Sequence, residues 1–136
     1  MKLRLSLIGC LLGAAILLSG YAFVSPNVND PWPVPEKFDK MPNPVKADPS
    51  SISTGKSLWG KHCASCHGKA GAGDGTKAAT LKTHPGDFTK AEFKGQSDGA
   101  IFYKTSEGRK DMPSFKKKIP DADDIWSLVN YIRTLK

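Results

Sequence analysis

The clearest helical pattern of apolar residues lies at the C-terminal end of the chain. Between residues 121 and 136 the apolar positions recur at three- and four-residue intervals, as they do along one face of an α-helix. These positions are Ile125, Leu128, Val129, Ile132 and Leu135. Asp121 is placed to cap this helix, and the carboxylates of its first turn suit the positive end of the helix dipole. We therefore predict an amphipathic helix over residues 121–136 that buries one apolar stripe.

Two further helices are predicted upstream, with loops between them. The first begins near Ser53 or Thr54 and continues through Trp59. It contains Gly55, and a glycine is unusual in a helix unless another backbone comes close. The second covers residues 97–106.

The first 24 residues are predicted to be a signal peptide or an N-terminal membrane anchor. Lys2 and Arg4 precede an uncharged run over residues 5–24, as in a secretory signal. Small residues suit cleavage after Ala22, but a run of this length can also span a bilayer as a helix, so both outcomes stay open. In either case the positive-inside rule directs the rest of the chain to the outer side of the membrane.

A cysteine inside this leader leaves a third outcome open. Residues 7–10, which end at Cys10, resemble the box at which bacterial lipoproteins are lipidated. Cys10 falls in the middle of the apolar run and not at its end, so an inert leader cysteine is the preferred interpretation.

A proline-rich segment over residues 25–53 follows, with seven prolines and almost no helical periodicity. This composition indicates a linker or an extended strap. Residues 32–35 are compatible with a polyproline docking segment, although wrapping of its own domain or tethering is preferred. Trp32 and Phe38 indicate that part of the segment packs. In a chain of 136 residues, one small domain over residues 54–136 is predicted.

The strongest chemical signal is the pentapeptide Cys-Ala-Ser-Cys-His at residues 63–67. C-x-x-C-H is the attachment motif of c-type haem. In such a motif the thiols of Cys63 and Cys66 each add to a haem vinyl group, and His67 binds the iron as the proximal ligand.

Other sites that contain a C-x-x-C pair fit this chain less well. A structural zinc site needs four protein ligands, but the remaining cysteine is Cys10 in the leader, so His62, His67 or His84 would have to contribute. A redox dithiol normally follows a strand in a βαβ unit, a pattern that the flanking sequence lacks. The glycine-rich residues 68–76 lack P-loop spacing, and a tight loop leaving the motif explains them better.

Met112 is the second chemical candidate. It lies 112 − 67 = 45 residues after His67, in a proline-stiffened loop between two predicted helices. A buried methionine is usually a filler of core space. Downstream of C-x-x-C-H, however, its thioether is suited to the sixth position of a haem iron. Met41, in the proline-rich segment, is the poorer candidate.

Residues 54–136 resemble the class I cytochromes c, of the short bacterial type with one haem. Three blocks in the same order carry the resemblance: residues 55–68 resemble the N-terminal helix and attachment site, residues 110–115 the distal methionine loop, and residues 125–135 the C-terminal helix. The resemblance implies an all-α cytochrome c fold with crossing N- and C-terminal helices around one covalent haem c. It also implies that this crossing is the reason for Gly55.

The resemblance also implies the ligands of the haem. Cys63 and Cys66 bind the cofactor covalently, and His67 and Met112 are the axial ligands of the iron. A proline carbonyl in this family accepts the second ring N–H of the proximal histidine, and Pro85 is the candidate by position. In the same family the last helix carries an aromatic residue at its crossing, here Tyr131. His84 is then a neighbour that can substitute if Met112 binds weakly.

The expected function is an exported, periplasmic electron carrier in a respiratory or related redox chain. It is not an enzyme, because two filled axial positions leave no open site for a substrate. One alternative is a fixed haem subunit of a larger membrane oxidoreductase complex, attached through the proline-rich arm. Another is a haem-based ligand sensor with a labile Met112.

Charge indicates the kind of partner. Without Lys2 and Arg4, the chain has 18 basic and 13 acidic residues, a net charge of +5. Lysines at residues 116–118 follow the Met112 loop, where they either steer a redox partner with an acidic docking surface or form an ordinary solvated loop. Nucleic acid is not an expected partner, since the lysines are scattered and the chain is exported. Membrane association is possible through residues 5–24.

Overall fold

The computed structural model describes residues 31–136. The predicted signal peptide or anchor, Cys10 and the first residues of the proline-rich segment lie outside this part of the chain. Residues 32–136 form one compact unit, which therefore includes most of the predicted linker or strap. No helix within residues 31–136 is long and apolar enough to cross a membrane.

The described residues are helical, as predicted. The helices are α1 (Glu36–Asp39), α2 (Pro49–His62), α3 (Ala64–His67), α4 (Ala91–Lys94), α5 (Asp98–Glu107) and α6 (Ala122–Ile132), with a 3₁₀ turn at Ala78–Thr80. Within residues 31–136 there is no strand beyond one isolated bridge between Arg109 and Met112. The all-α prediction is confirmed.

Helix α2 begins earlier than the sequence pattern predicted, at Pro49 and not at Ser53 or Thr54. The Asp48 side chain accepts a hydrogen bond from the Ser51 backbone N–H (2.9 Å), and the Ser51 hydroxyl accepts one from the Asp48 N–H (3.2 Å). This reciprocal pair is a capping box. Proline at the first helical position fits because its fixed φ suits the helix and its missing N–H needs no partner there.

Helices α2 and α6 form the most extensive helix pair and cross at Gly55. A Cβ atom at Gly55 would lie 2.1 Å from the Ser127 carbonyl oxygen and 2.7 Å from Tyr131 Cβ. The predicted close approach at Gly55 and Tyr131 is confirmed. The five residues of the predicted α6 stripe are all buried, although the helix itself ends at Ile132.

The segment before α2 packs along α5. The Phe38 ring lies 4.8 Å from that of Tyr103. A Cβ atom at Gly99 would lie only 1.8 Å from the Phe38 carbonyl oxygen. The Ser97 hydroxyl donates a 2.7 Å hydrogen bond to Asp39. These contacts place residues 36–41 directly against the first turns of α5.

Asn130 joins the same segment to α6. This side chain is 6% exposed, and its Nδ2 donates to the carbonyls of Val45 (3.1 Å) and Lys46 (3.3 Å) and to the Ser51 hydroxyl (3.2 Å). Its Oδ1 accepts a 2.8 Å hydrogen bond from Asn43 Nδ2. A buried amide thus satisfies backbone groups of residues 45 and 46, which lie outside the helices.

Candidate haem-binding site

Four of the predicted site residues line a single cavity: Cys63, His67, Pro85 and Met112. Its volume is ≈ 180 Å³, and the empty space rises to ≈ 700 Å³ when the part open to solvent is included. Cys66 is half-buried and is not one of the residues that line the cavity.

The rest of the wall is largely apolar and aromatic. It includes Trp59, Phe88, Phe93, Ile101, Leu128 and Ile132. A flat apolar macrocycle gains free energy on leaving water for such a wall, since burial of apolar surface contributes about 25 cal/mol per Å². The composition of the cavity therefore fits haem.

The attachment motif lies on the end of α2 and the short helix α3. The Cys63 N–H donates to the Trp59 carbonyl (2.9 Å), so Cys63 ends α2, and α3 carries the rest of the motif. Burial raises the pKa of the Cys63 thiol to about 12, with a smaller contribution from Cys66. Dithiols that act in redox exchange or bind zinc need a thiolate, which this environment disfavours. A neutral thioether to haem suits the position better.

The glycine-rich loop folds back onto α3, as predicted for a tight loop that leaves the motif. The N–H groups of Gly73 and Gly75 donate to the carbonyls of His67 (2.9 Å) and Cys66 (3.2 Å). Gly73 has φ +78°, a left-handed conformation that glycine adopts without strain. These bonds satisfy the carbonyl groups at the end of α3 and fix the orientation of the motif.

The His67 ring is enclosed by aromatic rings. Ring centroids lie 4.6 Å away for Phe88 and 5.8 Å away for Trp59. Burial lowers the pKa of His67 to about 4; a hydrogen-bonding contact with the Pro85 backbone opposes this shift, and nearby His84 adds to it. The imidazole is therefore neutral at neutral pH and has a nitrogen lone pair for a metal ion.

Pro85 lies beside the His67 ring and lines the same cavity. His67 Nδ1 is buried and has no hydrogen-bond partner within residues 31–136, although the Pro85 backbone raises the pKa of the ring. A buried ring nitrogen without a good acceptor costs free energy. The role of Pro85 as the acceptor stays a prediction.

Met112 is held in a tight turn. Arg109 and Met112 exchange two backbone hydrogen bonds of 2.8 and 3.0 Å, and Lys110 between them adopts φ +54°. The Asp111 carboxylate accepts a 2.9 Å hydrogen bond from the Thr83 N–H. The turn that carries Met112 is thus tied to the loop that carries Pro85.

The other candidate ligands lie elsewhere. Met41 is half-buried against the hydrophobic core and does not line the cavity. His84 is exposed, and its Nδ1 accepts a hydrogen bond from the Gly86 N–H (3.1 Å). His62, at the end of α2, packs edge-on against Phe115 at 5.9 Å.

Sequence reasoning missed four polar or amphipathic residues of the cavity wall: Trp32, Gln96, Lys104 and Thr105. For Lys104 a signal was present, because it lies three residues after Ile101 and so on the same face of the predicted helix. Trp32 was recognised only as an aromatic residue that packs. Its partner surface could not be identified from a proline-rich segment without periodicity.

Comparison with known proteins agrees with this geometry. Residues 50–132 match the family described as cytochrome c oxidase, cbb3-type, subunit III. A chain of the Kuenenia stuttgartiensis reducing HAO-like protein complex Kustc0457/Kustc0458 is 28% identical, with a TM-score of 0.63 over 78% of this chain and 51% of that chain. The c-type cytochrome KustC0563 is 30% identical, with a TM-score of 0.53 over 60% of this chain and 96% of its own.

A curated relative is similar over a shorter stretch. The quinohemoprotein alcohol dehydrogenase ADH IIB of Pseudomonas putida is 45% identical over 38 residues, which are 28% of this chain and 6% of that protein. The chain thus spans about half of the HAO-like complex chain and a small part of the dehydrogenase.

The small cytochrome c fold and the covalently bound haem c that the sequence predicted are confirmed by these similarities. The family match runs from the start of α2 to the end of α6 and therefore includes the attachment motif and the Met112 turn. The chain belongs to the family of cytochrome c domains described as cytochrome c oxidase, cbb3-type, subunit III.

Proposed function

We propose that the protein is an exported monohaem c-type cytochrome that carries single electrons in a respiratory or related redox chain. The observation that carries this proposal is the presence of one imidazole, from His67, and one thioether, from Met112, in the wall of the same apolar cavity. An iron whose two axial positions are filled by the protein has no open site for a substrate, which suits electron transfer.

Each of the four predicted ligands has a distinct role. Cys63 and Cys66 would hold the haem covalently, while His67 and Met112 would bind its iron. The bound haem supplies reversible one-electron chemistry. Burial keeps the His67 imidazole neutral. The uncharged Met112 thioether favours the ferrous state and raises the reduction potential.

The Met112 turn is built to keep the thioether in place. Its two backbone hydrogen bonds close the turn, and the bond between Asp111 and the Thr83 N–H ties it to the loop on the histidine side. A ligand held in this way is less readily displaced by a small molecule, which supports a carrier over a sensor.

Replacing each methionine in turn tests the axial ligand. In ferric Met112→Leu we expect loss of the far-red iron–sulfur charge-transfer band, because leucine keeps the apolar volume and lacks the sulfur. Met41→Leu is the matched control and should keep the band. A band that persists in Met112→Leu, or disappears in Met41→Leu, would show that the ligand assignment is wrong.

The proposed location is supported by the family and by the predicted leader. Cytochrome c domains are usually exported, and we place this one on the outer side of the cytoplasmic membrane. The mass of the mature protein reports leader cleavage, lipidation and covalent haem together. A mature form that lacks residues 1–22 and any lipid would indicate a periplasmic carrier, and a retained leader an anchored one.

A basic surface next to the attachment motif fits a partner with an acidic docking face. Burial lowers the pKa of His62, and the charges of Lys61 and Lys118 lower it further, so positive charge gathers at the end of α2. Lys118 Nζ lies 5.4 Å from the centre of the Phe115 ring, which His62 also contacts. Positive charge at this place would steer an acidic redox partner toward the haem edge.

A fixed subunit of an oxidoreductase complex is the second candidate function. Two observations favour it: the matching family is described as an oxidase subunit, and a similar structure is a chain of a protein complex. Extraction of the membranes under gentle conditions separates the two functions. A lone haem protein would support the carrier, and co-migration with a larger oxidoreductase would support the subunit.

A further inference from the structure

The cavity wall contains a cation that neither the attachment motif nor the axial ligands require. Lys104, on α5, lines the cavity together with Trp32 and Gln96. Its ammonium group donates a hydrogen bond to Gln96 Oε1. Burial lowers the pKa of Lys104, and Arg109 lowers it further, while Asp39 acts in the opposite direction. The charged form of Lys104 is therefore costly in this place.

The Trp32 ring brings a second cation close to the first. Lys104 Nζ lies 5.8 Å from the ring centroid and Arg109 Cζ lies 5.4 Å from it. Both distances are within the cation–π range of about 6 Å. Within residues 31–136, no carboxylate forms an ion pair with Lys104. A carboxylate beside this ring would therefore meet positive charge from both side chains, and nearby positive charge stabilises the ionised form of a carboxylate.

We propose that Trp32, Lys104 and Arg109 form a carboxylate-binding subsite that holds a propionate group of the haem. This inference rests on the proposed binding of haem in this cavity. A haem carries two propionates, and a carboxylate at an apolar wall is stable only when a cation and hydrogen bonds accompany it.

The subsite combines a residue of the Met112 turn with a residue of the proline-rich segment. Arg109 belongs to the tight turn that also holds Met112, so one turn positions a propionate partner and the sixth ligand. Trp32 lies outside the residues that match the family, 50–132. The proline-rich segment thus adds a side chain to the cofactor site that the matched domain does not contain.

The subsite predicts how the reduction potential responds to pH. A propionate beside two cations has a lowered pKa and stays ionised throughout the neutral range. Without the Lys104 charge the propionate pKa rises, and protonation then couples to reduction because the ferrous haem binds the proton more tightly. The charged groups around Lys104 are Arg109 on the turn and Asp39 on α1; Gln96 is uncharged.

Reduction potentials of the purified haem protein, measured against pH, test the subsite. The wild type and Lys104→Arg should show little change through the neutral range. Lys104→Met should have a lower potential and a new pH-dependent segment in which the potential falls as pH rises. Lys56→Met removes one charge from the exposed face of α2 and should match the wild type. A Lys104→Met profile identical to that of Lys56→Met overturns the subsite.

Two further arms separate the possible failures. Haem retained after denaturation reports covalent attachment. A wild type without covalent haem overturns the proposed function as well as the subsite. A Lys104→Met protein with full haem, an intact far-red band and an unchanged pH profile overturns the subsite alone. If Lys104→Met does not fold, Trp32→Leu replaces it and should show the same pH-dependent segment with smaller amplitude. An unchanged profile there overturns the subsite.

A free anion such as inorganic phosphate is the alternative occupant of the subsite. Exchange of chloride for inorganic phosphate at constant ionic strength should leave the wild-type potential unchanged, because the propionate already occupies the subsite. A phosphate-dependent shift in the wild type that is absent from Lys104→Met would overturn the propionate assignment.

Discussion

Burial decides what each residue of the haem site can do. It holds the pKa of Cys63 at about 12 and that of His67 at about 4, so both side chains are neutral at neutral pH. Neutral side chains cost less free energy than charged ones in an apolar wall. A neutral Cys63 can therefore form a thioether, and a neutral His67 can bind iron, without a charge being buried there. The sequence predicted these residues because C-x-x-C-H is a local motif whose chemistry needs no tertiary information.

Residues that act through distant contacts could not be predicted in the same way. Trp32 and Lys104 lie 104 − 32 = 72 residues apart in sequence and meet at one ring. The role of Asn130 has no signal in the sequence, because a single polar residue beside an apolar stripe does not indicate which backbone groups it will bond. Such contacts depend on how the proline-rich segment crosses α5 and α6, and that path has no periodic signal in the sequence.

Asn130 is predicted to be the main polar link between the proline-rich segment and α6. Asn130→Ala should lower the free energy of unfolding of the haem protein by about 1–3 kcal/mol, because buried carbonyl groups lose their donor. Urea denaturation measures the change, and Asn43→Ala, which leaves the bonds to residues 45, 46 and 51 intact, is the milder control. A loss for Asn130→Ala within about 0.5 kcal/mol, as at ordinary surface sites, would contradict this role.

At the scale of elements, helix caps and apolar periodicity predicted the positions of the helices better than composition did. Helix α5 begins after the Ser97 cap and α6 after the Asp121 cap, close to the predicted positions. The sequence pattern predicts too late a start for α2 because Pro49 has the composition of the proline-rich segment before it. The residues Asp48 and Pro49 are themselves a helix-start signal, and the capping box shows why the helix begins there.

Two glycines in α2 provide a matched pair for testing the helix crossing. Gly55→Ala should destabilise the protein by about 1–3 kcal/mol, since the added Cβ overlaps the backbone of α6. Gly60 has nothing within 4 Å of such a Cβ, so Gly60→Ala should stabilise the helix by about 0.5–1 kcal/mol. Thermal unfolding of both variants gives the comparison. Equal effects of the two substitutions would mean that α2 and α6 do not cross closely at Gly55.

On the scale of the whole molecule, the matched cytochrome c domain and the segment before it form one unit. Residues 50–132 match the family, residues 36–46 contact α5 and α6, and Trp32 lines the cavity. The sequence indicated a strap or linker at this place, and it did not indicate that the segment contributes to the haem site. The reason is physical: a strap is held by the surface that it crosses, and that surface exists only in the folded chain.

Addition of carbon monoxide to the reduced protein at neutral pH tests the closed, six-coordinate electron carrier most directly. We expect an unchanged absorption spectrum for the wild type, because in the proposed carrier His67 and Met112 occupy both axial positions of the iron. Met112→Leu serves as the positive control and should bind carbon monoxide. A carbon monoxide complex formed readily by the wild-type protein would contradict the account and favour a ligand-binding sensor.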